Sequence, residues 1–225
     1  MRHFLFPTVI WQGNRQVSDE EKSLWFESYL VNSDSDGASL DYLGFQSHHL
    51  DSNFSNIFKD IIQNVKYYFD ELSIDHTKLN LYITKTWYNA KTTTGNPQHC
   101  HGENHISFTY YPHINPQFEK NLAFFREYET TPNEPYFGFL EDIVTEWTPA
   151  NCRSYQIPIS EGDIVVFPSK LFHSTNGEGT SHEYFKTKEE LVKSRFCVGG
   201  DIIITRKDTK EYEKLLPPIE NWKLF

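Results

Sequence analysis

Cysteine, positive charge and long apolar runs are all scarce in this 225-residue chain. The three cysteines, Cys100, Cys152 and Cys197, are odd in number and unrelated in spacing, which argues against a disulfide framework and for a reducing compartment. Basic residues number 21 against 31 acidic ones, a formal net charge of -10, and no Lys/Arg cluster stands out. Non-specific nucleic-acid binding works by neutralising phosphates, so a nucleic-acid partner is not expected, while a basic partner stays open. No stretch approaches the roughly 18 apolar residues of a membrane-spanning helix, and the run after Met1-Arg2-His3 is too short for a signal peptide. The expected location is cytoplasmic, a host cytoplasm if the gene is phage-borne. Internal repeats and low-complexity tracts are also missing. The hydrophobic share, 38% over 225 residues, is enough for one large domain with a real core.

Two periodicities divide the chain. Ser18 and Glu21 have the spacing of a capping box, and Leu24, Trp25, Tyr29 and Leu30 form an apolar stripe behind them up to Val31. A second helix, capped by Asp51 or Ser52, is predicted from Phe54, Ile57, Phe58, Ile61, Ile62, Val65, Phe69 and Leu72. From Leu79 the rhythm changes to two: Leu79, Leu81, Ile83 and Trp87 alternate with Tyr82, Thr84, Thr86 and Tyr88, as in a strand. Further strands are expected at residues 4–11 (an edge, given Pro7), 106–111, 122–128, 153–159, 163–167 and 195–205. The turn Ser160-Glu161-Gly162 suggests that two of these form a hairpin. The expected fold is α+β, mainly β, with two helices buttressing a β-sandwich or barrel. Residues 1–78 form the helical buttress, 79–205 the β core, and 206–225 a tail docking through Trp222 and Phe225. Residues 174–193, polar and Glu/Lys-rich, read as an insertion with a short helix at 187–193.

The chemistry concentrates in Asn96-Pro97-Gln98-His99-Cys100-His101-Gly102-Glu103. Along an extended strand His99, His101 and Glu103 share one face and Cys100 points away. Two imidazoles two residues apart offer adjacent ligand directions to a divalent transition metal. His-x-His alone also describes two solvent-facing loop histidines. A second piece strengthens the metal reading: the run from Glu161 to His173 places a tight turn, a buried strand and a terminal His in series, making His173 the leading further ligand.

Several short motifs in order carry a family resemblance: Gly44-Phe45-Gln46-Ser47, Trp87-Tyr88-Asn89, Asn96-Pro97 with His99-x-His101, Ser107 with Tyr110-Tyr111, Gly162-Asp163, Phe167-Pro168-Ser169, His173 and Arg195. Together they resemble the 2-oxoglutarate- and Fe(II)-dependent oxygenases, specifically a small prolyl-hydroxylase-like group met in tailed phages and marine bacteria. The resemblance implies a double-stranded β-helix, or jelly-roll, core with iron at one end, and Fe(II), 2-oxoglutarate and O2 as cofactor and cosubstrates. His99 and His173 match the two histidines of the iron-binding triad. Most of the wider superfamily has Asp or Glu two positions after the first histidine, where this chain has His101. The triad is therefore His99, His101 and His173, or else His101, Glu103 and His173. Arg195 matches the basic residue that grips the distal carboxylate of 2-oxoglutarate, and Tyr82, Tyr111 and Ser107 are hydroxyl candidates to assist it, Tyr82 first. Asn89 would orient 2-oxoglutarate or water near the mouth, and the insertion would form a lid. The implied activity is hydroxylation of a small-molecule or peptide substrate with release of succinate and CO2. The competing reading is a cupin-like metal-binding or structural β-sandwich without the chemistry; a carboxylate anchor at Arg195 separates the two. Oligomeric state is left open.

Overall fold

In the computed structural model the described residues are 7–32, 47–92, 95–117, 121–126, 143–175, 185–207, 216 and 218–224. Strand β1 (Trp11–Asn14) leads to helix α1 (Asp19–Asn32), and α2 (Ser55–Glu71) precedes the long strand β2 (Leu79–Lys91). Then come β3 (Asn96–His99), β4 (Ile106–Ile114), β5 (Leu122–Phe125), β6 (Ser154–Ile157), β7 (Asp163–Pro168) and β8 (Phe172–Thr175). A short helix α3 (Lys188–Leu191) and the strand β9 (Arg195–Arg206) follow. All pairings are antiparallel, in a five-stranded sheet of order β1-β7-β4-β9-β2 and a four-stranded sheet of order β3-β8-β5-β6. This is the expected double-stranded β-helix.

The helices form where the sequence places them, for local reasons. Ser18 Oγ accepts the Glu21 backbone N–H at 3.2 Å, and Asp19, Glu20 and Glu21 put negative charge at the positive end of α1. Only half of the capping box is built, because the Glu21 carboxylate turns to Arg15 and Tyr110 instead. Before α2, the Asp51 side chain accepts from the Asn53 N–H at 2.9 Å and caps a 3-10 turn at Ser52–Phe54. Ile57, Phe58, Ile61, Val65 and Phe69 then bury one face of α2, as their spacing dictates.

The five-stranded sheet separates two cores by side-chain parity. Tyr88, Tyr110, Ile164, Val166, Phe196 and Val198 pack against α1 and α2, stacked around Trp25 and Phe54. The odd-numbered Tyr111, Val165, Phe167 and Cys197 point the other way, meeting Leu122 and Phe124 of the smaller sheet. A register shift between Ile83 and Lys85 sets the parity of the remainder of β2.

Four expectations are corrected here. Among the described residues the N-terminal strand begins at Trp11, where the apolar run of residues 4–11 ends, and it is an edge strand; residues 4–6 lie outside the described residues. The segments around Ser160-Glu161-Gly162 are not a hairpin, since β6 pairs with β5 in one sheet and β7 with β1 and β4 in the other. Gly162, at φ +88°, lets the chain turn between sheets, and a Cβ there would lie 2.1 Å from the Arg15 carbonyl oxygen. Ser174 and Thr175, assigned to the insertion, are buried in β8, and residues 185–193 dock on the fold through buried Phe185 and Leu191. Lys188 Nζ also donates to Ser23 and Glu27 of α1. Trp222 stays about half exposed, so only part of its surface serves to dock the tail. Residues 44–46 of the upstream motif, residues 127–128 of the strand expected at 122–128, residues 176–184 and Phe225 lie outside the described residues. Among the described residues no helix is long and apolar enough to cross a membrane.

Candidate metal centre

Antiparallel pairing of β3 with β8 sets His99 directly opposite His173. Strand β3 ends there, so the shared-strand expectation for His101 is corrected. His101 is held beyond the strand end by its N–H to the Ser169 carbonyl (2.7 Å) and by the Asn104 N–H on its own carbonyl (3.2 Å). That turn carries Glu103 out to solvent, away from the other two rings, which removes it as a ligand. The ligand atoms of His99, His101 and His173 all lie within 4.8 Å of one another. Ring centroids are 4.3 Å apart for His99–His173, 5.1 Å for His101–His173 and 5.2 Å for His99–His101.

Each ring has one nitrogen already committed. His99 Nδ1 meets the Pro97 carbonyl at 2.8 Å, His173 Nδ1 the Leu171 carbonyl at 3.0 Å and His101 Nδ1 the Asp201 carboxylate at 2.7 Å. All three acceptors demand the Nδ1–H tautomer, leaving every Nε2 lone pair free. Burial, reinforced by the neighbouring His99, pushes His173 down to about 3, and burial also lowers His99. Neutral imidazole is the ligand form, so these rings are ready for a cation. Three protein nitrogens suit a divalent transition metal that keeps open positions, and iron(II) is one such ion.

The walls are aromatic. Phe167 stands edge-on to His173 at 4.7 Å, and Trp87 lies 5.1 Å from His101. Trp87 fits because β9 has glycine opposite: a Cβ on Gly199 would come within 2.5 Å of the indole. The chamber beyond the histidines is narrow and is lined by Asn89, Thr109, Tyr111, Phe167 and Cys197, among others. On the same face of β9, two residues past Cys197, Arg195 is fully buried over the Tyr111 ring, 5.7 Å from its centroid. Arg195 is not a surface partner of Glu189 or Glu190. None of its three guanidinium nitrogens has a hydrogen-bond partner among the described residues, and neither do Tyr111 Oη and Asn89 Oδ1. Burial keeps the Tyr111 phenol protonated, raising its pKa.

Two hydroxyl candidates fall elsewhere. Tyr82 sits at the opposite end of β2 from Asn89, roughly 23 Å along the strand. It lines a separate cavity of about 430 Å³ with Ile62, Lys66 and Lys207. That cavity is the larger one and contains none of the three histidines. Ser107 is fully buried and spends its hydroxyl on Asp201 Oδ1 (2.6 Å), with Ser169 Oγ at 2.9 Å and His101 Nδ1 at 3.3 Å. His105 is an exposed residue whose Nδ1 accepts the Ile204 N–H. Sequence reasoning missed Asp201, Asn104 and Lys85. The signal for Asp201 was available: it is an acidic residue within the apolar run of β9.

No curated protein matches the sequence. Among solved structures, the chain is similar to the apo form of ThoJ, a non-heme monooxygenase, at 11% identity and TM-score 0.45 over 88% of this chain and 75% of that one. EvdO2 from Micromonospora carbonacea var. aurantiaca is similar at 10% identity and TM-score 0.43, over 92% of this chain and 91% of that one. SnoN, a non-heme alpha ketoglutarate dependent epimerase from nogalamycin biosynthesis, is similar at 12% identity and TM-score 0.33. This match covers 58% of this chain, and the chain spans about half the length of SnoN (51%). Residues 85–183 match the family described as "Putative 2OG-Fe(II) oxygenase". Across that segment, which carries His99, His101 and His173, the chain is similar to the 2OG-Fe(II) oxygenases.

Proposed function

We propose that the protein is an Fe(II)- and 2-oxoglutarate-dependent dioxygenase that hydroxylates a small-molecule or peptide substrate. His99, His101 and His173 hold the metal through Nε2. Arg195 grips the distal carboxylate of 2-oxoglutarate, the Tyr111 hydroxyl donates beside it, and Asn89 orients the cosubstrate or a water. When bound, iron(II) with 2-oxoglutarate and O2 would supply an oxidative decarboxylation to succinate and CO2 that places one oxygen atom of O2 in the new succinate carboxylate and the other into a substrate C–H bond, giving the alcohol. The aromatic walls exclude bulk water from the chamber, and the low dielectric there strengthens each polar contact.

The observation that carries this reading is the unpaired guanidinium of Arg195, buried on the chamber face of β9 beyond three convergent imidazoles. Leaving a charge buried without a partner is costly, and a planar fork of donors is complementary to a carboxylate. A metal-binding or structural β-sandwich has no use for such a group. The test is anaerobic titration with Fe(II) and 2-oxoglutarate. The charge-transfer band of the chelate is expected in the wild type and absent in His173→Ala; a wild type without the band overturns the proposal.

A further inference from the structure

Three neutral histidines leave a divalent iron with its full formal charge, whereas a carboxylate ligand would reduce that charge by one. The structure places a carboxylate one hydrogen bond away. Asp201 is fully buried in β9, and its two oxygens receive four donors from different parts of the fold. Oδ1 takes His101 Nδ1 at 2.7 Å and Ser107 Oγ at 2.6 Å; Oδ2 takes Lys85 Nζ at 3.0 Å and Asn104 Nδ2 at 3.1 Å. The orientation of the Asn104 amide follows from Thr84, whose hydroxyl donates to its oxygen at 3.1 Å. Four donors converging on two oxygens fit a carboxylate, which only accepts, rather than a carboxylic acid.

The three histidines are therefore not equivalent. His99 and His173 lean on neutral carbonyl oxygens, and His101 leans on a charge. A charge-assisted bond is roughly twice as strong as a neutral one, and it raises the basicity of the far ring nitrogen. We propose that Asp201 is the positioning carboxylate of this centre: it fixes the His101 tautomer and ring, and supplies through that ring the negative charge that the coordinating set lacks. The inference rests on the three-histidine metal site proposed above. Lys85 and Trp87 complete the device. The Lys85 ammonium lies 5.5 Å from the centroid of the Trp87 ring, while that ring lies against His101, so the Asp201–His101 pair is roofed from solvent.

A role confined to neutralising Lys85 is the plainer alternative, and a Co(II) titration separates the two. Wild type, His101→Ala, Asp201→Asn and Lys85→Met are titrated with Co(II) and followed by its visible spectrum. Asp201→Asn keeps the shape and removes the charge; its affinity should fall by about 10–100-fold, with a changed spectrum. Lys85→Met removes one donor from Oδ2 but keeps the His101 bond to Oδ1, so it should lose less Co(II) affinity than Asp201→Asn. A wild type that binds no Co(II), or a His101→Ala protein that binds it as tightly, removes the metal site itself. Tight wild-type binding that is lost in His101→Ala but unchanged in Asp201→Asn overturns the role of Asp201 alone. Should Asp201→Asn not fold, Zn(II)-loaded wild type with 15N-labelled histidine decides. The Nδ1 proton of His101 should be the furthest downfield and slowest to exchange of the three, and equivalence with His99 and His173 overturns the inference.

Discussion

Tyr110 and Tyr111 are neighbours in one strand, equally buried, and they do opposite things. On the helix side, Tyr110 donates to Glu21 and accepts from Arg15 (2.7 Å), and Tyr88 donates to Ser28 (2.6 Å). On the chamber side, Tyr111, Asn89 and Arg195 have buried polar atoms without partners among the described residues. On the helix side the buried polar atoms in that condition include Trp25 Nε1 and His48 Nε2, on two rings that pack edge to face. One face of the sheet is built to be stable by itself, and the other keeps hydrogen-bonding capacity in reserve. Unsatisfied buried groups lower stability, so their clustering on one face, next to convergent imidazoles, is what distinguishes a binding chamber from a core.

Arg195→Met gives the largest separation of the two faces. It should weaken 2-oxoglutarate binding by about 2–5 kcal/mol, the usual penalty for losing one partner of a buried charge pair. Iron binding should be retained, and thermal unfolding of the metal-free protein should show no loss of stability because no native partner is abandoned. Equal loss of iron and 2-oxoglutarate in calorimetric titrations would count against the anchor role. Ile61→Ala, on the helix face, should do the reverse: about 2–5 kcal/mol of stability lost in a denaturant titration, with metal affinity unchanged. A smaller and sharper comparison pairs the two tyrosines. Tyr110→Phe removes a hydrogen bond to a charged group and should cost about 1.5–3 kcal/mol of stability while sparing 2-oxoglutarate. Tyr111→Phe should leave the unfolding midpoint in place and weaken 2-oxoglutarate by about tenfold, near 1.4 kcal/mol. Smallest of all, Glu103→Ala should change neither stability nor metal affinity beyond about 0.5 kcal/mol, as befits an exposed turn residue.

Much of this was legible residue by residue. Helical spacing in α2 and alternation in β2, β4 and β9 mark buried faces because side-chain direction follows backbone period. His99, His101 and His173 were readable from residue chemistry and spacing, whereas Arg195 was readable only through the family resemblance. The errors came where a local pattern was asked for a non-local answer. Alternation extended β3 through Glu103, but hydrogen bonds between residues 101–105 and 168–169 end the strand at His99 and bend the chain. A tight turn at Gly162 looked like a hairpin, yet its two strands belong to different sheets. Tyr82 stands ahead of Tyr111 as a sequence candidate, and only the direction of travel along β2 and β4 reverses that order.

The sequence by itself determined both long helices and the strands β2, β4, β7 and β9, the buried faces of those elements, and that two histidines and a third would be available to a metal. Those are consequences of periodicity and residue chemistry, and both are local. The tertiary structure alone decided that Glu103 leaves the site, that Ser107 serves His101 and Asp201, and that Asp201 lies 2.7 Å from His101 although 100 residues separate them. Strand partners are chosen by the whole sheet, so contacts at that separation have no signature in either stretch of chain alone.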